Sequence, residues 1–272
     1  MNLSLFQLLV LGIIQGITEW IPVSSKTQVS FVYLKIFQGE PSLVIPVLLA
    51  AHLGTVAAAV IYFRKEIAEI LKDVVARSHD LPGLFKGKAG FLFTALLFTG
   101  IVGVPLLLIE KKYFPMLDAG LLYALMGVGL IVTGFLLLSH RKGNTRDMKD
   151  VTWKDGILTG ILQGMSTLPG VSRSGTSTTG LIWRGFDSGS SFYLSFLLSI
   201  PTVILAEILL NYGTVGITGL PVYEGLVLFL VSFIVGYLTL DGLLRVVKRV
   251  NIAYLVFILG ILIIVVGLTG IG

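Results

Sequence analysis

The chain has no cysteine, only three histidines, and charged residues at 13% of its 272 positions. The missing cysteines exclude disulfides, thiolate metal sites and a cysteine nucleophile. So little charge, with 55% hydrophobic residues and a mean hydropathy of +0.93, excludes an ordinary soluble domain and identifies an integral membrane protein. No Walker loop, HExxH, GxSxG or dinucleotide fingerprint occurs, so nucleotide and zinc chemistry of those kinds has no support. The net charge of +5 is read as membrane-flanking loops and not as nucleic-acid binding. Residues 3 to 14 are apolar but lack a basic leader and a small-residue cleavage site, so they are not read as a signal peptide.

Against this apolar background stands Pro169-Gly170-Val171-Ser172-Arg173-Ser174-Gly175, followed by Thr176, Ser177 and Thr178. An arginine at membrane depth costs upward of about 3 kcal/mol and is retained for a charged partner. No acidic residue is near it in sequence, which leaves an anionic ligand or a distant carboxylate. Its planar fork suits phosphate, and the neighbouring hydroxyls are of the kind that surround one. Gly170 and Gly175 are expected to turn the backbone sharply.

The first half holds a second such loop. Gly12-Ile13-Ile14-Gln15-Gly16-Ile17-Thr18 matches Gly160-Ile161-Leu162-Gln163-Gly164-Met165-Ser166 at an offset of 148, and each stretch runs through a proline into a serine-rich turn with a basic residue. The first turn is Pro22-Val23-Ser24-Ser25-Lys26-Thr27. The expectation is a single membrane domain, 1–272, duplicated internally over about 1–140 and 150–272.

Spans are expected at about 42–63, 89–109, 119–138, 191–210, 222–244 and 252–271, with broken segments at 2–37 and 155–183 that are too interrupted to cross. If both broken segments are re-entrant, the loops 64–88, 139–155, 184–190 and 245–251 share one side and carry 15 Lys/Arg, against Lys26, Lys35, Lys111 and Lys112 on the other. The positive-inside rule favours that layout, with both termini outside. The fold class is therefore all-α and integral to the membrane: an inverted-topology repeat of six transmembrane helices plus two re-entrant helix-loop-helix segments whose loops meet near the midplane.

Gln15 and Glu19 share a helix face at i, i+4 spacing. Glu19, inside the first broken segment, is read as a general base, a ligand to a divalent ion or the partner of Arg173. Ser24, Ser25, Ser172 and Ser174 are read as ligands or helix caps, roles that coincide where a capped helix N-terminus faces an anion. His52, in mid-span, is expected to be a packing histidine, with general acid or base help at the site as the alternative; His79 and His140 fall in charged loops and are expected to be solvated. Glu66, Glu69 and Asp73 alternate with bases on a loop helix and are read as a solvated face.

These stretches resemble the motifs of the bacitracin-resistance membrane phosphatases, the undecaprenyl-pyrophosphate phosphatase family. Gln15 to Glu19 resembles its Glu/Gln-x-x-x-Glu motif, Trp20 to Ser25 its aromatic-Leu-Pro-Val-Ser-Ser continuation, and Pro169 to Ser174 the start of its Pro-Gly-x-Ser-Arg-Ser-x-x-Thr motif, in an order that runs the whole chain. The resemblance implies hydrolysis of a polyprenyl diphosphate to the monophosphate carrier lipid, at the outer face of the plasma membrane, with a divalent cation, Mg²⁺ or Ca²⁺. By the same resemblance Glu19, Ser25 and Arg173 would be catalytic, with Glu19 also the metal ligand. Gln15, Ser24, Lys26, Gln28, Gly170, Ser172, Ser174 and Ser177 would bind substrate. The partners would be the lipid and the membrane, with a homodimer as a candidate assembly. The chain departs where the family commonly has Thr-Gly-His after the serine pair: Lys26, Thr27 and Gln28 stand there, and glutamine cannot act as acid or base. Ser177 replaces the last threonine of the second motif. The rival readings are a flippase or transporter of polyprenyl phosphate or another amphipathic anion, and a lipid-binding homologue without activity.

Overall fold

The computed structural model describes residues 3–77, 79, 80, 83, 85–139, 144–211, 220–246 and 252–269. His140, the bases Arg141, Lys142, Lys248 and Arg249 of the charge count, and both termini lie outside the described residues. Among the described residues the regular structure is helical, apart from one backbone bridge between Arg146 and Phe186.

The main helices in chain order are α1 (Leu5–Thr18), α2 (Ser25–Phe31, continued by a π-helical turn at Val32–Ile36), α3 (Val44–Tyr62), α4 (Arg64–Ala76), α5 (Gly87–Tyr113) and α6 (Ala119–Leu138). The second half supplies α7 (Trp153–Gly164), α8 (Arg173–Trp183), α9 (Ser188–Asn211), α10 (Val222–Val246) and α11 (Ala253–Thr269). Five stretches are long and apolar enough to cross a membrane: Pro41–Tyr62, Gly87–Glu110, Ala119–Leu138, Ser188–Ile208 and Val222–Arg245. α1 and α11 are apolar but shorter. The protein is a multi-pass, all-α membrane protein.

Local chemistry sets the helix ends near the two polar turns. α1 starts in a capping box between Ser4 and Gln7, and Pro22 follows close on its end, where a residue without an N–H cannot prolong the hydrogen-bond ladder. α7 starts in a second capping box, between Thr152 and Asp155. Ser172 caps α8 by accepting from the Gly175 N–H at 3.3 Å.

Lipid gives helices no hydrophobic reason to associate, so close approach through small residues and hydrogen bonds does the work. α1 packs on α10, where a Cβ at Gly16 would lie 2.7 Å from that of Val235. α7 packs on α5, where a Cβ at Gly164 would lie 2.7 Å from that of Val102. The glycines of the matched stretches thus let two helices come within backbone distance of neighbours. α6 and α11 pair in the same manner, through Gly120 with Gly267 and Gly127 with Gly260. α1 and α7 are thereby held against long helices, with Pro22 and Val23 of the first turn and Ser172 and Ser174 of the second buried.

Candidate active site

Glu19 stands at the end of α1, where its N–H still bonds the Gln15 carbonyl at 3.0 Å, so its side chain leaves on the Gln15 face. It is 6% exposed, and four side chains converge on it. Oε2 accepts from Gln15 Nε2 and from Ser25 Oγ, each at 2.7 Å. Oε1 accepts from a terminal nitrogen of Arg173 at 2.5 Å. His52 Nε2 lies 3.5 Å from Oε2. On the far side of the ring, His52 Nδ1 lies 3.2 Å from Glu207 Oε1 on α9, without the alignment of a hydrogen bond. A carboxylate this deep is tolerated because cationic and hydrogen-bonding partners surround it.

The turn after Glu19 is pinned on both sides. Trp20 donates its indole N–H to the Gly236 carbonyl at 3.0 Å, and Ser174 Oγ donates to the Ile21 carbonyl at 3.3 Å, tying the first turn to the second. Ser24 takes a left-handed conformation with φ 57°, and its hydroxyl lies 3.0 Å from that of Thr27. That twist places Ser25 at the start of α2, with its hydroxyl toward Glu19.

In the second turn Gly170 has φ 79°, and a Cβ there would meet the Met126 carbonyl oxygen at 1.8 Å, so glycine is required twice over. Ser172 donates its N–H to Thr133 Oγ1 at 3.1 Å, and its hydroxyl lies 3.2 Å from that of Ser174. Gly175 does not turn the chain as expected from the sequence; it sits inside α8, where a Cβ would lie 2.5 Å from Thr133 Cγ2, so it serves close approach to α6. Ser177 donates to the Arg173 carbonyl at 2.8 Å and lies 2.6 Å from the Ser195 hydroxyl, one turn away from the Arg173 side chain's contacts. Lys26 is exposed at the start of α2, and Gln28 donates its side-chain amide to the Val23 carbonyl at 3.0 Å, supporting the turn.

Two buried polar atoms at this centre meet no hydrogen-bond partner and no opposite charge, Gln15 Oε1 and the NH1 nitrogen of Arg173, whereas His52 Nδ1 makes no aligned hydrogen bond but faces Glu207. Such atoms are costly unless something else meets them, and a buried guanidinium nitrogen is suited to an anionic oxygen. Among the described residues no three His, Asp or Glu side chains gather into a metal cage. Glu19 is the carboxylate at the two turns, and both of its oxygens already accept hydrogen bonds from protein side chains.

Two residues of this cluster go beyond the preferred sequence reading. His52 does more than the packing expected of it, since it stands between two carboxylates; Glu207 was not singled out. Each is a lone ionisable group within a long apolar run, which is the one signal the sequence offered.

Comparison with known proteins gives a consistent assignment. The model of the family described as bacitracin resistance protein BacA matches residues 8–268. A relative from Methanococcoides burtonii, named undecaprenyl-diphosphatase, is 36% identical over 96% of this chain and 97% of its own length. Relatives with the same name from Haloarcula marismortui and Methanothrix thermoacetophila are 35% and 36% identical, covering 89% and 94% of each chain.

Proposed function

We propose, since this chain belongs to the bacitracin resistance protein BacA family, that it hydrolyses a polyprenyl diphosphate of the undecaprenyl type to the monophosphate carrier lipid and inorganic phosphate. The observation that carries the reading is a serine hydroxyl aimed at a buried carboxylate, Ser25 Oγ to Glu19 Oε2 at 2.7 Å, beside an arginine with one buried nitrogen free.

In this reading Glu19 is the base. It takes the Ser25 hydroxyl proton as Oγ attacks the terminal phosphorus; the new O–P bond forms while the bond from that phosphorus to the bridging oxygen breaks, and the polyprenyl monophosphate leaves. Water then cleaves the phosphoserine and releases phosphate. Arg173, held through one nitrogen by Glu19, offers the other to the phosphoryl oxygens, where charge builds up in the transition state. Gln15 keeps Glu19 in place. Ser172 and Ser174 add hydroxyls to the phosphate side, Gly170 and Ser24 shape the two turns, and Gln28 braces the first. Lys26 adds positive charge at the mouth, and Ser177 supports the Arg173 backbone. Glu19 would also hold a divalent cation, Mg²⁺ or Ca²⁺, which when bound would neutralise phosphate charge.

For the architecture we infer two inverted halves, about 1–140 and 150–272, with six spanning helices and with α1–α2 and α7–α8 as re-entrant segments. The matched glycine packing of α1 on α10 and α7 on α5 supports this. So do two parallel hydrogen bonds, Gln15 Nε2 to Thr55 Oγ1 at 3.5 Å and Gln163 Nε2 to Thr202 Oγ1 at 3.0 Å. The lysine and arginine asymmetry of the loops supports a plasma-membrane orientation with both termini outside.

The test is phosphate release from a long-chain isoprenyl diphosphate by the purified protein, with and without Mg²⁺ or Ca²⁺, alongside Ser25→Ala. Release by wild type and a loss of about a thousandfold or more in Ser25→Ala are expected. No release from folded wild type, with movement of polyprenyl phosphate between leaflets intact, would replace this reading with the flippase.

A further inference from the structure

Helix α4 follows the spanning helix α3 after a single residue, Phe63. With Arg64, Lys65 and Lys72 against Glu66, Glu69 and Asp73 in 13 residues, it is too charged to lie in hydrocarbon. Yet its surface is not that of a helix free in water. Ile67 and Ile70 turn inward onto the cluster built around Trp20, Phe63 and Phe196. A second apolar stripe, Ala68, Leu71 and Val75, faces outward at helical spacing; Leu71 is 59% and Val75 73% exposed.

The charges around that outer stripe are sorted. Arg64 lies in line with it and Lys65 and Lys72 along one flank, all exposed. The acids are mostly turned elsewhere: Glu66 is half-buried and close to Tyr193 on α9, and Asp73 pairs with Arg77 at 2.6 Å, leaving Glu69 as the exposed acid. An apolar edge bordered by bases, on a helix that begins where a membrane span ends, is complementary to one surface in particular. Its aliphatic part fits the acyl boundary and its ammonium and guanidinium groups reach phosphates above it.

We propose that α4 is an interfacial helix whose Leu71–Val75 edge docks into the headgroup layer of anionic phospholipid, with Arg64, Lys65 and Lys72 contacting lipid phosphates. The face is thus a lipid-binding surface separate from the Glu19 and Arg173 centre, and its occupancy depends on bilayer charge.

The absence of cysteine makes the test direct. Leu71→Cys, Val75→Cys and Glu69→Cys, each carrying an environment-sensitive fluorophore, are reconstituted in bilayers of neutral phosphatidylcholine or of the same lipid mixed with anionic phosphatidylglycerol. Quenching by lipid-borne nitroxides is then read. Labels at 71 and 75 should be quenched and the label at 69 should not, with quenching greater in the anionic bilayer. Combining Leu71→Cys with Lys65→Gln and Lys72→Gln should erode that gain, by about fivefold in the docked-to-undocked ratio for each base removed. High salt should do the same. Unchanged melting temperatures keep misfolding from imitating the result. Equal quenching at all three positions, or no difference between the two bilayers, overturns the proposal. So does shielding of position 71 that follows protein concentration and not lipid charge, which would mean that a second copy covers the face.

Discussion

Arg173 and Glu19 are 154 residues apart in sequence, and a single hydrogen bond joins them at the centre of the protein. It links the two polar turns, and each residue supplies what the other needs at membrane depth, a counter-charge. Removing either takes from the other the opposite charge that this hydrogen bond supplies.

Arg173→Ala should reduce phosphate release at least a hundredfold, and Arg173→Lys should recover little, because a point charge cannot hold both Glu19 and a phosphoryl oxygen. Lys86→Ala, on an exposed residue outside the site, should be neutral. Activity in Arg173→Ala equal to wild type would remove Arg173 from the site.

Glu19→Gln retains the size of the side chain and one acceptor oxygen, so the fold should persist while the base is lost. Phosphate release is expected to fall by a factor of about 10² to 10⁴. If the variant remains folded and retains activity within a fewfold of wild type, Ser25 is not activated by this carboxylate.

The histidine question separates two positions. His52 is within 3.5 Å of Glu19, whereas the Gln28 side chain is turned to the Val23 carbonyl. His52→Ala should therefore cost about tenfold or more in kcat with little change in KM, since the ring borders the Glu19 carboxylate. Gln28→His should alter kcat by no more than a fewfold. A restored rate on adding Gln28→His to His52→Ala would instead make the two positions interchangeable and contradict the geometry.

Gly170→Ala tests the second turn. A φ of 79° and a carbonyl oxygen where the methyl would sit leave no room for relaxation at one atom alone. The variant should lose about 3 kcal/mol or more of stability, read as a clear drop in melting temperature. Gly225→Ala, where a Cβ meets nothing within 4 Å, is the control and should cost little.

Orientation can be measured in sealed cells by attaching an impermeant thiol reagent to single cysteines. Thr145→Cys should react only after permeabilisation, and Asp118→Cys from outside. Reaction of position 145 from outside would contradict the inverted layout.

Much of this was readable from the sequence. Long apolar runs can only be helices in lipid, because every backbone polar group must be satisfied within the segment. Hence the span boundaries at 42–63, 119–138 and 191–210 fell close to Val44–Tyr62, Ala119–Leu138 and Ser188–Asn211. The pairing of Glu19 with Arg173 was also open to inference, since two lone opposite charges in an apolar chain have strong reason to meet. What only the tertiary structure decided was which face of each helix points inward. His52 and Glu207 lie on separate spans whose flanking residues are apolar on all sides, so periodicity does not aim either group. Gly170 and Gly175 look alike in the sequence, yet one turns the chain and the other lets helices touch, because the difference lies in what packs against them: the Met126 carbonyl for one, the Thr133 methyl for the other.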